Sequence, residues 1–101
     1  MQSMYTACKP YAILVADDDA RICRVIEQIL SSDGMSVTAT QSGRQAIALA
    51  ERTPFDLILL DIMFSDGDTD GFSIIESLRR REIQVPIFLI SALAEESSKI
   101  Y

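Results

Sequence analysis

Four stretches of this chain are short, unbroken and apolar. Between them, apolar residues recur at the spacing of helices. Residues 11–16 read YAILVA, as expected of a strand buried on both faces. Ile22, Val25, Ile26, Ile29 and Leu30 then fall on one helical stripe, with Asp19 as N-cap and Gly34 as stop. Residues 35–40 alternate apolar with Ser and Thr and predict a shorter strand. Ser42 and Gln45 form a capping-box pattern ahead of a second helix carrying Ala46, Ile47, Leu49 and Ala50, which Pro54 closes. Residues 55–60, FDLILL, predict a third strand that ends on Asp61. A polar loop, FSDGDTDG, occupies 64–71. Asp70 caps a third helix with Phe72, Ile74, Ile75 and Leu78, and that helix ends in arginines 79–81. Residues 85–90, VPIFLI, predict a fourth strand, and residues 94–101 the start of a fourth helix.

Strands alternating with helices over short connections imply an α/β fold, a parallel sheet with helices on both faces. Ligands of such sheets bind beyond the carboxyl ends of the strands, where strand order reverses. Asp17 and Asp18 follow the first strand and Asp61 ends the third, so the fold would bring them together. Ser91, after the fourth strand, would join them. Three clustered carboxylates raise one another's pKa. A hard divalent cation resolves that conflict, and Mg²⁺ suits one or two carboxylates plus a phosphate. An aspartate beside such a cation can act as a nucleophile toward phosphorus. The plainer reading, a helix cap or a solvated acid, suffices for Asp19 and Asp70. It suits Asp17, Asp18 and Asp61 less well, because all three directly follow buried strands.

Charge narrows the choice of partner. Nine Lys and Arg against fifteen Asp and Glu give a net charge of −6 over 101 residues. That argues against direct contact with nucleic acid, which needs a basic face. The length suits one domain, expected over 11–101 behind a leader at 1–10. Two cysteines without a CxxC pair read as reduced thiols of a cytoplasmic protein. No apolar run is long enough to span a membrane, and the leader lacks the order of a signal peptide.

Taken jointly, ILVADDDARI at 13–22, DLILLDIM at 56–63, DGF at 70–72 and VPIFLISA at 85–92 resemble response-regulator receiver domains. The resemblance covers residues 11–101. It implies a flavodoxin-like, doubly wound sheet, of which this chain would hold the order 2-1-3-4. It implies that Asp17 and Asp18 hold Mg²⁺, that Asp61 accepts the phosphoryl group and that Met63 lends a backbone carbonyl to the metal. Ser91 would be the switch hydroxyl. The donor would be a histidine kinase, a phosphotransfer protein or a small acyl phosphate. Such a domain phosphorylates and dephosphorylates itself without being a turnover enzyme. The chain departs from the family in three ways. The loop after Asp61 is two residues longer than usual, with Ser65 where proline is common. The fifth strand and helix are expected to be missing, so the domain is incomplete. With them go the family's invariant lysine, matched by neither Lys9 nor Lys99, and the aromatic switch residue.

Other readings follow from the same residues. Asp66, Asp68 and Asp70 mimic the start of an EF-hand calcium loop, but Ser77 stands where the closing glutamate belongs. VADDDAR resembles a haloacid-dehalogenase-type phosphohydrolase, yet Arg21 occupies a position that is usually Thr or Val. A pseudo-receiver, a phosphorylation-independent interaction module, is a third possibility. Without a fifth strand, residues 86–90 would form a bare apolar edge, which predicts a non-native dimer or domain swap through the fourth strand. The arginines at 79–81 suit a helix C-terminus on a solvated face.

Overall fold

The computed structural model describes residues 10–63, 65–66, 69–90 and 99–100. Its elements are β1 (Ala12–Ala16), α1 (Ala20–Ser32), β2 (Ser36–Thr40), α2 (Gly43–Arg52), β3 (Leu57–Asp61), β4 (Ser65–Asp66), β5 (Thr69–Asp70), α3 (Gly71–Arg80), β6 (Ile87–Ile90) and β7 (Lys99–Ile100). The main sheet has the order β2-β1-β3-β6-β7. Its first four strands are parallel, as the alternation of strands and helices predicts. The register sets Ala16 opposite Leu60 and Asp61 opposite Ile90, so the ends of β1, β3 and β6 lie side by side.

Two expectations about the C-terminal part need correction. Residues 99–100 do not continue a fourth helix. They lie antiparallel on β6, with Ile100 opposite Phe88 and Lys99 opposite Leu89. An edge strand presents a row of unpaired N–H and C=O groups, and here the chain's own later residues meet two positions of that row. The edge expected to drive pairing between copies is therefore not bare at Phe88 and Leu89.

The two faces of the sheet are covered unequally. Leu14, Ala16, Ile58, Leu60, Ile87 and Leu89 pack under α2 and α3 against Ala46, Ala50, Ile74 and Leu78, all of them buried. Among the described residues, the other face rests on α1: Ile13 and Val15 meet Cys23, with Ile26, Leu30, Leu57 and Leu59 packed at the margin. Beside α1 an apolar groove of about 480 Å³ stays open, lined by Tyr11, Leu30, Met35, Leu57, Leu59 and Phe88 among others. The stripe expected on α1 is also rotated. Cys23 is its buried residue, whereas Val25 and Ile29 are 52% and 58% exposed.

Helix ends follow the local chemistry. Gly34, at φ 88°, ends α1: its N–H donates to the Ser31 carbonyl at 2.9 Å and that of Met35 to the Leu30 carbonyl at 3.1 Å. The same Schellman pattern ends α3 without a glycine, because Glu82 takes the left-handed position at φ 61°. Among the described residues, no helix is long and apolar enough to cross a membrane.

Candidate functional site

Asp17 emerges directly from β1. Its N–H donates to the Thr40 carbonyl at 3.1 Å, which extends the β1–β2 pairing by one residue. Its Oδ1 accepts from the Asp19 N–H at 2.9 Å, and the residue is buried. Asp18, next in the chain, is exposed. Asp19 turns the chain into α1 as its N-cap, accepting from the Arg21 N–H at 2.9 Å. Bonds from the Arg21 side chain and N–H hold the Asp19 carboxyl below the usual carboxylate range. Asp61 closes β3, and its Oδ1 accepts from the Met63 N–H at 3.0 Å.

One carboxylate oxygen from each of Asp17, Asp18 and Asp61 lies within 4.8 Å of the other two. The strand ends bring together the three acids that the sequence singles out. The electrostatic conflict is visible in Asp17. Burial, first, and then the neighbouring charges of Asp61 and Asp18 push its pKa up to about 6, against the opposing hydrogen bond from the Asp19 N–H. All three donors are hard carboxylate oxygens, and a divalent cation among them would reverse the penalty on Asp17. The set therefore fits Mg²⁺. Met63, two residues on, is exposed beside the cluster with its N–H engaged by Asp61. Ser91 lies outside the described residues.

Three neighbours of the site were not singled out for it from sequence. Thr40 supplies the carbonyl that fixes Asp17, and its own hydroxyl bonds the Gln45 side chain. Cys23, expected to be a reduced thiol, donates from Sγ to the Asp17 carbonyl at 3.3 Å. Burial, and then the Asp17 charge, push the Cys23 thiol up, away from the reactive thiolate. Gly71 stands against the backbone of Asp61 and Ile62. An Asp-Gly pair at a helix start is visible in the sequence, but nothing there says what the glycine touches.

The polar loop after Asp61 contains a short antiparallel hairpin, with Ser65 opposite Asp70 and Asp66 opposite Thr69. Asp70 caps α3 in a full capping box: it accepts from the Ser73 N–H at 2.8 Å, and its own N–H donates to Ser73 Oγ at 3.0 Å. Its carboxylate thus serves the helix, as the plainer reading expected. Asp68 of the calcium-loop pattern lies outside the described residues. Among the described residues, the acids placed to share a metal ion are Asp17, Asp18 and Asp61.

The family model described as the response regulator receiver domain matches residues 13–100. The chain belongs to this family. As a receiver domain it is 34% identical over 88 residues to the transcriptional regulatory protein ResD of Bacillus subtilis (strain 168), covering 87% of this chain and 35% of that protein. It thus spans about a third of the length of that curated relative. Its fold is similar to that of the receiver domain of Francisella response regulator 1452, with a TM-score of 0.75 and 32% identity over 85% of this chain and 70% of that one. It is also similar to the MaeR response regulator solved with beryllium trifluoride, with a TM-score of 0.72 and 27% identity over 85% and 70% of the two chains. Receiver domains are signalling domains of two-component systems whose family function is to accept a phosphoryl group, and they interact with histidine kinases or phosphotransfer proteins.

Proposed function

We propose that Asp61 is the residue that accepts the phosphoryl group and that Asp17 and Asp18, with the Met63 carbonyl, hold Mg²⁺ beside it. The observation that carries this reading is the convergence of the three carboxylates at the ends of β1 and β3. When bound, Mg²⁺ supplies positive charge against the transferring phosphoryl oxygens. The rest falls to the chain's own groups. A carboxylate oxygen of Asp61 attacks phosphorus as the bond from phosphorus to the donor, a histidine nitrogen or an acyl oxygen, breaks. The electron pair of that bond leaves with the donor, and an acyl phosphate forms on Asp61. The Met63 N–H on Oδ1 orients the Asp61 carboxylate for this attack. Ser91, directly after β6, is proposed to donate its hydroxyl to a phosphoryl oxygen; support comes from the pairing of Ile90 with Asp61. Hydrolysis of the acyl phosphate resets the domain, without turnover of an external substrate.

The partner is proposed to be a histidine kinase or phosphotransfer protein that docks on α1. Val25 and Ile29 give that helix an exposed apolar strip. A cytoplasmic setting follows from that partnership. Calorimetric titration with Mg²⁺ and then beryllium trifluoride, a tetrahedral mimic of the phosphoryl group, tests the site. The expected result is Mg²⁺ binding that Asp17→Asn weakens at least ~10-fold, and beryllium trifluoride binding that Asp61→Asn abolishes. Unchanged binding in both variants would refute the assignment.

A further inference from the structure

Gly71 follows Asp61 by ten positions in the sequence. Gly71 begins α3 and is buried. Its φ is not left-handed, since among the described residues Gly34 is the glycine at positive φ. Conformational freedom does not explain it, but space does. A methyl group at Gly71 would come within 2.9 Å of the Asp61 carbonyl oxygen, 3.1 Å of the Ile62 carbonyl oxygen and 3.3 Å of the Ile62 Cα. All three are backbone atoms, so a side chain at 71 would have to move the turn itself. That turn is held at two other points: the Ile62 N–H donates to the Ile90 carbonyl at 2.8 Å, and the Met63 N–H to Asp61 Oδ1 at 3.0 Å.

We propose that Gly71 is a positioning residue for the acid site: by lacking a side chain it lets α3 start against the Asp61–Ile62 backbone and so fixes the turn that aims the Asp61 carboxylate and carries Met63. The proposal rests on the reading of Asp61 as phosphoacceptor for its functional consequence, but not for its geometry. Pressed outward by a methyl, the turn loses the Met63-to-Asp61 bond first, because that bond lies inside the displaced segment. The capping box of Asp70 and Ser73 holds the start of α3 in place, so the displacement falls on the turn.

The test is Gly71→Ala in the full 101-residue chain, made in a Glu82→Gly background that relieves the left-handed residue at the end of α3. Leu78→Val in the same background is the control, a buried change on the same helix far from the turn. Amide hydrogen exchange at Met63 is read by NMR, and Mg²⁺ affinity by calorimetry. The expected result is exchange at Met63 faster by ~10-fold in Gly71→Ala and Mg²⁺ affinity weaker by ~10-fold, with both unchanged in Leu78→Val. Parent-like exchange at Met63 in Gly71→Ala, or equal acceleration in Leu78→Val, would overturn the proposal. So would a Gly71→Ala chain that fails to fold even in this background, since the cost would then fall on the fold and not on the turn. A parent chain that ignores Mg²⁺ would sink the phosphoacceptor reading instead, while exchange at Met63 still decides the role of Gly71.

Discussion

Asp17 carries the clearest conflict at the scale of single residues. Its pKa is raised from 3.8 to about 6, mainly by burial and then by two neighbouring carboxylates. Between those values the folded chain holds a proton that the unfolded chain has released. Stability from this group is therefore present at acid pH and falls as pH rises through that window, by on the order of 1–2 kcal/mol after solvent screening. Mg²⁺ bound at the proposed site would compete with that proton. Thermal unfolding should show a larger gain from Mg²⁺ at about pH 7 than at about pH 5, where protons compete. Asp17→Asn should be more stable than the parent at neutral pH without Mg²⁺ and should lose most of the response to it. Equal Mg²⁺ gains at both pH values in the parent would contradict this. Glu82 offers a second test. A non-glycine residue at φ 61° costs about 1–2 kcal/mol, partly offset by the greater freedom of glycine in the unfolded chain. Glu82→Gly should raise unfolding stability by roughly 0.5–1 kcal/mol in urea titrations; a loss of stability would show that Glu82 makes an interaction that matters more than its backbone.

The elements were legible in the sequence where period and punctuation agreed. YAILVA and FDLILL contain β1 and β3, though Leu57 and Leu59 are only partly buried, and Asp19, Ser42 and Asp70 each cap the helix that their spacing predicted. Asp70→Ala removes one half of a capping box and should cost ~1 kcal/mol; a cost near zero by urea titration would mean that the tertiary contact at Gly71 alone sets the start of α3. What could not be read was set by long-range contact. The phase of α1 turned on Cys23 fitting under β1 and β2, so Val25 and Ile29 faced outward despite their place on the apolar stripe. The arginines looked like a solvated face, and Arg80 and Arg81 are exposed. Yet Arg79 donates to the carbonyls of Ile83 and Val85 at 2.6 and 2.9 Å, and Arg81 pairs with Glu51 of α2 at 2.6 Å. A helix-dipole argument sees the charge near the terminus but not the carbonyls that the following loop turns back toward it. The acid cluster was legible because parallel topology alone aligns the ends of β1 and β3. Gly71 and Thr40 were not, because their roles lie in backbone contacts that leave no periodic trace.

For the whole molecule, the asymmetry of the sheet is the main physical feature. Among the described residues, one face is covered by α2 and α3; the other has α1 and an open apolar groove. Truncations should report the difference. Leu60→Ala, at a fully buried position, should cost ~2–5 kcal/mol. Leu59→Ala, on the open face, should cost clearly less, because its partners are fewer and water already reaches it. Equal costs in denaturant titrations would mean that the groove is closed in solution. The acid cluster stands at the ends of β1 and β3 in the interior of the sheet, where Ile13, Val15, Ile58 and Leu60 are buried. The three acids therefore stand at the ends of the best-packed strands. The most direct test of this account is the intact mass of the chain after incubation with Mg²⁺ and acetyl phosphate, with Asp61→Asn as control. One added phosphoryl group is expected, labile to hydroxylamine as an acyl phosphate must be, and none in the control. An adduct that persists in Asp61→Asn, or a parent chain that gains none, would contradict it.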